Sequence, residues 1–220
     1  MDLALINQKT SYEWGINLSA YLENLKKITL ETNVDILVGP ELALSGDNRI
    51  MPFSLFKKYI KGFASGLEGK LIVPGTGLVR EGNLMRNVVP IILKDGRIVY
   101  HSKNSSHYED PLSKKNGLEY ERGSVKDGVF DKEKPSFVVE ICRDHGLGKL
   151  KNFVRPSFDF HFILSNNLGG IFPDKTLVKE GWIVALVDGK ESESSAYIKK
   201  NGSLLKLDEF KKEDYTLIKL

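Results

Sequence analysis

Three reactive side chains stand just past apolar, β-branched runs. Cys142, the one cysteine among 220 residues, closes the run Ser136-Phe137-Val138-Val139-Glu140-Ile141-Cys142. Arg143-Asp144-His145-Gly146 follows at once and reads as a turn opening a short helix. A lone thiol forms no internal disulfide, so packing, redox sensing and catalysis all stay open for Cys142 on its own segment. A free cysteine commonly behaves as a small buried hydrophobe. Glu41 follows Ile36-Leu37-Val38-Gly39-Pro40, and Lys103 follows Gly96-Arg97-Ile98-Val99-Tyr100-His101-Ser102. Taken singly, each charged residue reads as an ordinary solvated group. A thiol, a carboxylate and an ammonium in one place would be different. They would supply a nucleophile, a proton acceptor and a counter-charge for an oxyanion, which is what acyl chemistry needs.

These residues need elements to position them. Leu3 to Asn7 reads as a first strand. Leu18, Tyr21, Leu22, Leu25 and Ile28 share one helical face and predict a helix over 17–30, with Asn17 as its cap. Val34 to Val38 is a short buried-type strand. Phe53, Phe56, Ile60, Phe63 and Leu67 predict a second amphipathic helix over 53–67. Strands follow at Lys70 to Pro74, Val88 to Leu93 and Ile98 to His101. Pro90 points the second of these toward an edge or a bulge. Lys94-Asp95-Gly96-Arg97 is a hairpin turn. Residues 102–125 are polar with little periodicity and read as a long loop of the kind that lines active sites. Further strands are expected at 128–130, 136–142, 160–164, 182–187, 195–198, 203–207 and 215–220, with a helix after Cys142. No repeat or linker divides the chain, so a single domain over 1–220 is expected, of layered α/β type with mixed sheets.

Composition narrows the function. The chain is 41% hydrophobic and 28% charged, with a net charge of +3, an ordinary balance for a globular protein. That charge is small, and no Lys/Arg cluster alternates with aromatics, so no nucleic-acid partner is expected. No apolar run approaches bilayer-spanning length, so no membrane partner is expected. Met1-Asp2-Leu3-Ala4-Leu5 does not read as a signal peptide, and one cysteine is compatible with a reducing compartment; the expectation is a cytoplasmic protein. His101, His107, His145 and His161 lack metal-ligand spacing, so no metal is expected. Gly75-Thr76-Gly77 and Gly169-Gly170 read as turns rather than phosphate loops.

Together, Val38-Gly39-Pro40-Glu41, the strand-end Lys103 and Ile141-Cys142-Arg143-Asp144 resemble the nitrilase, or carbon-nitrogen hydrolase, superfamily. The family carries a Glu after a Pro at the end of an early strand, a Lys after a hairpin strand, and a Cys two residues before an acid. The resemblance covers most of the chain and implies an α-β-β-α sandwich of two mixed β-sheets with outer helices. It implies an amidase-type hydrolase with a Glu41, Lys103 and Cys142 triad, no cofactor, a small-molecule amide or carbamoyl substrate and a homodimer. Glu41 would take the thiol proton and return it to the leaving amine. Lys103 and the backbone N–H of Arg143 would hold the oxyanion, and water would hydrolyse the thioester. A second carboxylate is implied in the loop between Lys and Cys. Among Glu109, Glu119 and Glu121, the stretch Leu118-Glu119-Tyr120-Glu121-Arg122-Gly123 favours Glu119.

The chain also departs from that pattern. Arg143 replaces the usual aromatic after the cysteine and would favour an anionic substrate group. His145-Gly146 replaces a common Arg-Pro, and residues 167–181 are too short and Gly/Pro-broken for the substantial helix expected there, which leaves assembly open. Acyl transfer from the same thioester, or a non-catalytic binding or assembly module on the same fold, are the alternative functions.

Overall fold

The computed structural model describes residues 1–7, 17–45, 49–166, 168, 170–188, 194–212 and 214–220. In chain order its first elements are β1 (Asp2–Ile6), α1 (Leu18–Thr32), β2 (Ile36–Val38), β3 (Met51–Pro52) and α2 (Phe53–Ala64). Next come β4 (Leu71–Val73), β5 (Gly77–Glu81), β6 (Leu84–Ile92), β7 (Ile98–Ser102), α3 (Glu109–Lys115) and β8 (Glu119–Tyr120). The second half contributes β9 (Val129–Phe130), β10 (Phe137–Ile141), α4 (Arg143–Gly146), β11 (Phe158–Ser165) and β12 (Val178–Asp188). The chain ends with β13 (Ser195–Lys200), β14 (Ser203–Lys206), β15 (Phe210–Lys211) and β16 (Tyr215–Lys219).

Two mixed sheets result. The first runs β15-β16-β1-β2-β4-β6-β5-β3, with β7 and β8 also paired to β6; the second runs β14-β13-β12-β11-β10-β9. Strand alternation divides the apolar residues between two layers. Leu3, Leu5, Ile36, Val38, Val89 and Ile91 of the first sheet meet Phe137, Val139, Ile141, Phe160 and Phe162 of the second. Ala4, Ile6, Leu37 and Ile72 face the other way, against Tyr21, Leu25, Phe56, Ile60 and Phe63 of α1 and α2. Burial on both faces is why the early strands read as continuous apolar runs. The expected sandwich of two mixed sheets is therefore observed.

Several local readings also hold. Asn17 caps α1, its side chain accepting from the Ser19 N–H at 3.0 Å. The turn after β6 closes through the Leu93 N–H to the Arg97 carbonyl at 2.9 Å. Other readings are corrected. Residues 102–125 are not one loop: they hold α3 and β8. The strand expected at Val88 to Leu93 is the second half of β6, whereas β5 and the first half of β6, which pair as a hairpin, have no counterpart in the expected strands. Pro90 lies in an interior strand and faces Tyr100 of β7. It is tolerated because its other side falls between the last β5 partner, Val88, and the β4 partner, Ile92, where no ladder hydrogen bond is required of it. On the outer face of the second sheet, the described part of 167–181 contains only the 3-10 turn Pro173–Lys175 before β12 begins. Asn167 and Gly169 lie outside the described residues.

Candidate active site

Glu41, Lys103 and Cys142 each follow a strand end, and the fold brings all three to one cavity of about 400 Å³. Glu41 enters through a tight crossing of two loops. Gly39 and Gly75 sit where a Cβ would run into the Pro74 and Pro40 carbonyls, and Gly75 has φ +108°, so both positions require glycine. Thr76 then fastens the turn, its Oγ1 accepting from the Leu42 N–H at 2.8 Å. Lys103 continues the β6–β7 ladder, donating its backbone N–H to the Asn87 carbonyl at 2.9 Å. Asn87 and Lys103 therefore occupy the inward face that Val89 and His101 share one step earlier.

The Lys103 ammonium is buried and bonded to two carboxylates, Glu41 Oε1 at 2.8 Å and Glu109 Oε1 at 2.7 Å. Asn87 Nδ2 donates to the same two oxygens at 3.1 and 3.0 Å. The second carboxylate at the cluster is thus Glu109, in the first turn of α3, and not Glu119. Glu119 is exposed on β8, paired with Leu84. The acidic-aromatic stretch around Glu119 misled because it forms an edge strand that points its acid outward. Glu109 was obscured because the polar segment concealed a helix. Asn87 was missed altogether; its signal was a polar residue fully buried within an apolar strand.

One cation between two carboxylates splits their protonation. Burial tends to raise Glu109, but Lys103 and Asn87 outweigh it and hold that carboxyl below the usual range. For Glu41 burial wins, reinforced by repulsion from Glu109, and its pKa is raised despite Lys103. Burial would lower Lys103, yet the two carboxylates hold its ammonium above the ordinary lysine value. Pushing neighbouring groups apart in this way is how acid and base roles are separated within one site.

Cys142 sits at φ 47° and ψ −106°, at the junction of β10 and α4. Its thiol lines the same cavity as the Glu41 carboxylate. Burial, then the negative charge of Glu41, push it up to about 11, with the Asn166 backbone opposing. Asp144 ties this turn to the lysine loop, accepting from the Asn104 N–H at 2.9 Å and the Ser105 N–H at 2.7 Å. Arg143 is exposed at the cavity edge beside His107, Tyr108 and Leu147. Its side chain has no ion-pair partner among the described residues. At the first position of α4, its backbone N–H also lacks an intrahelical acceptor.

Contrary to the sequence spacing, the fold does gather two histidines with a carboxylate. Glu140, His145 and His161 are buried, with donor atoms within 4.8 Å of one another. They lie behind Cys142, outside the cavity lining.

No protein-family model matches the sequence, and no curated protein matches it. Solved structures do. An amidase of the nitrilase superfamily from Nesterenkonia sp. AN1 superposes with a TM-score of 0.68 at 13% identity, covering 100% of this chain and 91% of that one. XC1258 from Xanthomonas campestris, described as a CN-hydrolase superfamily protein with an arsenic adduct in its active site, gives 0.65 at 17% identity over 99% and 89% of the two chains. A glutamine-dependent NAD(+) synthetase from Cytophaga hutchinsonii gives 0.59 at 15% identity, covering 99% of this chain and 42% of that one. The chain has the nitrilase-superfamily fold.

Two outcomes follow from this geometry. Glu109→Ala leaves a buried ammonium short of one partner and should cost about 3–5 kcal/mol in urea denaturation, whereas Glu119→Ala should stay within about 0.5 kcal/mol of wild type. Equal effects would remove Glu109 from the cluster. The rate of Cys142 alkylation by iodoacetamide, followed by intact mass, should rise with pH toward a midpoint near 11. In Glu41→Gln the midpoint should fall, because the charge that repels the thiolate is gone.

Proposed function

We propose that this protein is a thiol hydrolase that cleaves the C–N bond of a small amide through a thioester on Cys142. The observation that carries this reading is the convergence of the Cys142 thiol, the Glu41 carboxylate and the Lys103 ammonium on one cavity. The thiol attacks the amide carbonyl carbon while its proton passes to Glu41, whose raised pKa makes it a fitter acceptor. Lys103 Nζ and the Arg143 backbone N–H stabilise the tetrahedral oxyanion. As the C–N bond breaks, Glu41 returns the proton to the leaving nitrogen, and amine or ammonia departs. Water then attacks the thioester with Glu41 taking its proton, the carboxylic acid leaves, and the thiolate regains that proton. Glu109 and Asn87 take no proton in this scheme; they hold Lys103 and Glu41 in place.

The Nesterenkonia amidase was solved in complex with butyramide, and in another form with acrylamide added to its active-site cysteine. Short aliphatic amides are therefore the first substrates to test. Arg143 extends that class to amides with a carboxylate at the far end, since it is a cation on the cavity rim with no competing partner among the described residues. The free thiol favours a reducing compartment such as the cytoplasm.

Intact mass after mixing with a panel of short amides should show an acyl adduct at Cys142 that decays in water. An adduct that decays only when an amine acceptor is added would make the enzyme an acyl transferase. No adduct with any amide, together with a thiol inert to alkylation, would favour a binding module. Lys103→Ala should reduce turnover by about 10²–10³-fold, the usual effect of losing one oxyanion donor; near-normal turnover would remove Lys103 from the mechanism. Arg143→Ala should raise KM for a dicarboxylic monoamide by about 2–5-fold, the scale of an exposed ion pair, and leave a neutral amide unchanged. An unchanged KM for the acidic amide would refute the anionic substrate class.

A further inference from the structure

Glu140, His145 and His161 are at most 2% exposed, and no step of the reaction above uses them. Alternation along β10 turns Phe137, Val139 and Ile141 into the sandwich core, so Glu140 leaves the sheet on its outer face. Its Oε2 meets His145 Nδ1 at 2.8 Å and His161 Nε2 at 2.9 Å, and its Oε1 accepts from the Leu150 N–H at 3.3 Å. The far nitrogen of each ring accepts a backbone N–H. Phe172 donates to His145 Nε2 and Leu177 to His161 Nδ1, both at 3.3 Å. These partners settle the ring protons. A nitrogen that accepts carries no hydrogen, so His145 is protonated at Nδ1, His161 at Nε2, and both neutral rings donate to an ionised Glu140. Burial would raise Glu140, but the two ring donors outweigh it and hold it down to about 2.

The same protons argue against a metal. A cation would need the two nitrogens facing Glu140 to be bare, and each ring would then have to be anionic to keep accepting at its far side. The trio is instead a closed hydrogen-bond network.

We propose that Glu140, His145 and His161 are positioning residues that hold the Cys142 thiol in its reactive orientation; the activity part of this inference rests on the function proposed above. Cys142 has a positive φ of 47°, a conformation that costs about 1–3 kcal/mol and persists only where its surroundings over-determine it. Glu140 lies two residues before it and His145 three after, so the bond between them clamps the turn from both sides. His161, on the parallel neighbour β11, anchors that clamp to the sheet. Through Phe172 and Leu177 the network also holds the segment over the outer face of the second sheet, and Lys175 Nζ adds a bond to the Gly146 carbonyl.

The test compares His145→Ala with His145→Asn, whose amide N–H reaches the place of Nδ1–H. His145→Ala should keep a cooperative urea transition but lose kcat on a short amide by about 10²-fold with little change in KM, the scale of a small misplacement of a reacting group. Its Cys142 alkylation midpoint should shift downward as the thiol moves away from Glu41. His145→Asn should recover most of both. If His145→Ala does not fold, Glu140→Gln is read the same way. Wild-type kcat and alkylation in a folded His145→Ala would overturn the proposal. So would one equivalent of transition metal in the purified protein that is lost in His161→Ala. If the wild type hydrolyses no amide, the function above fails, and the alkylation contrast alone still decides the positioning role.

Discussion

The site is organised around one buried ammonium shared by two carboxylates. Taking Lys103, Glu41 and Glu109 out of water costs several kcal/mol per ion before their attraction is counted. The attraction prevails only because the geometry is close: both N–O separations are under 3 Å, and Asn87 adds a neutral donor to each carboxylate. This one contact joins the loop after β2, the end of β7, the middle of β6 and the first turn of α3. No single segment could hold the charge alone, so the four are fixed relative to one another. The arrangement also carries one negative charge too many for its cation. That excess falls on Glu41, the carboxylate beside the thiol.

The sandwich makes such convergence available. Strands β2, β7 and β10 end at the same rim, and the packed aromatic layer between the sheets holds those ends in register. Phe130 and Phe137 stack at 4.5 Å between ring centres, and Phe160 lies 5.5 Å from Phe162. Close-packed side chains of this kind resist sliding, so a loop leaving one sheet keeps its place against a loop leaving the other. Asp144 makes that relation explicit, since one carboxylate of the cysteine turn accepts two backbone N–H groups from the lysine loop.

What was legible in the sequence follows from what is local. Glu41, Lys103 and Cys142 could be singled out because each ends an apolar run, and a strand end is a sequence-local property. The first helix could be bounded because Asn17 is a local cap. Glu109 was not legible: α3 is short, and its acid turns inward only because Lys103 is already there. Asn87 reads as one polar residue in a strand until its face is known. Glu140 and His145 are five residues apart, but His161 lies 21 residues from Glu140, and the parallel pairing of β10 with β11 is what sets it beside Glu140. Spacing along the chain carries no trace of that pairing. Pro90 misdirected for a related reason, since its tolerance depends on where two neighbouring strands exchange places.

Three glutamates are buried at or behind this site, and they do not behave alike. Glu140 is ionised and satisfied, with two imidazole N–H groups and a backbone N–H. Glu109 is ionised as well; it shares Lys103 and Asn87 but adds the His107 N–H at 3.3 Å. Glu41 shares the same lysine and asparagine, and the side chain it faces across the cavity is a thiol, a weak donor. Of the three, Glu41 alone has its pKa raised. Burial alone does not separate them, because all three are buried. The separation lies in what acts with or against burial: at Glu41 repulsion from Glu109 adds to it, whereas at Glu109 and Glu140 the neighbouring donors outweigh it. Two carboxylates are provided with enough N–H groups to remain anions and serve as struts. The third is left short, and a buried carboxylate short of donors gains most by taking a proton. In the proposed reaction that proton comes from Cys142.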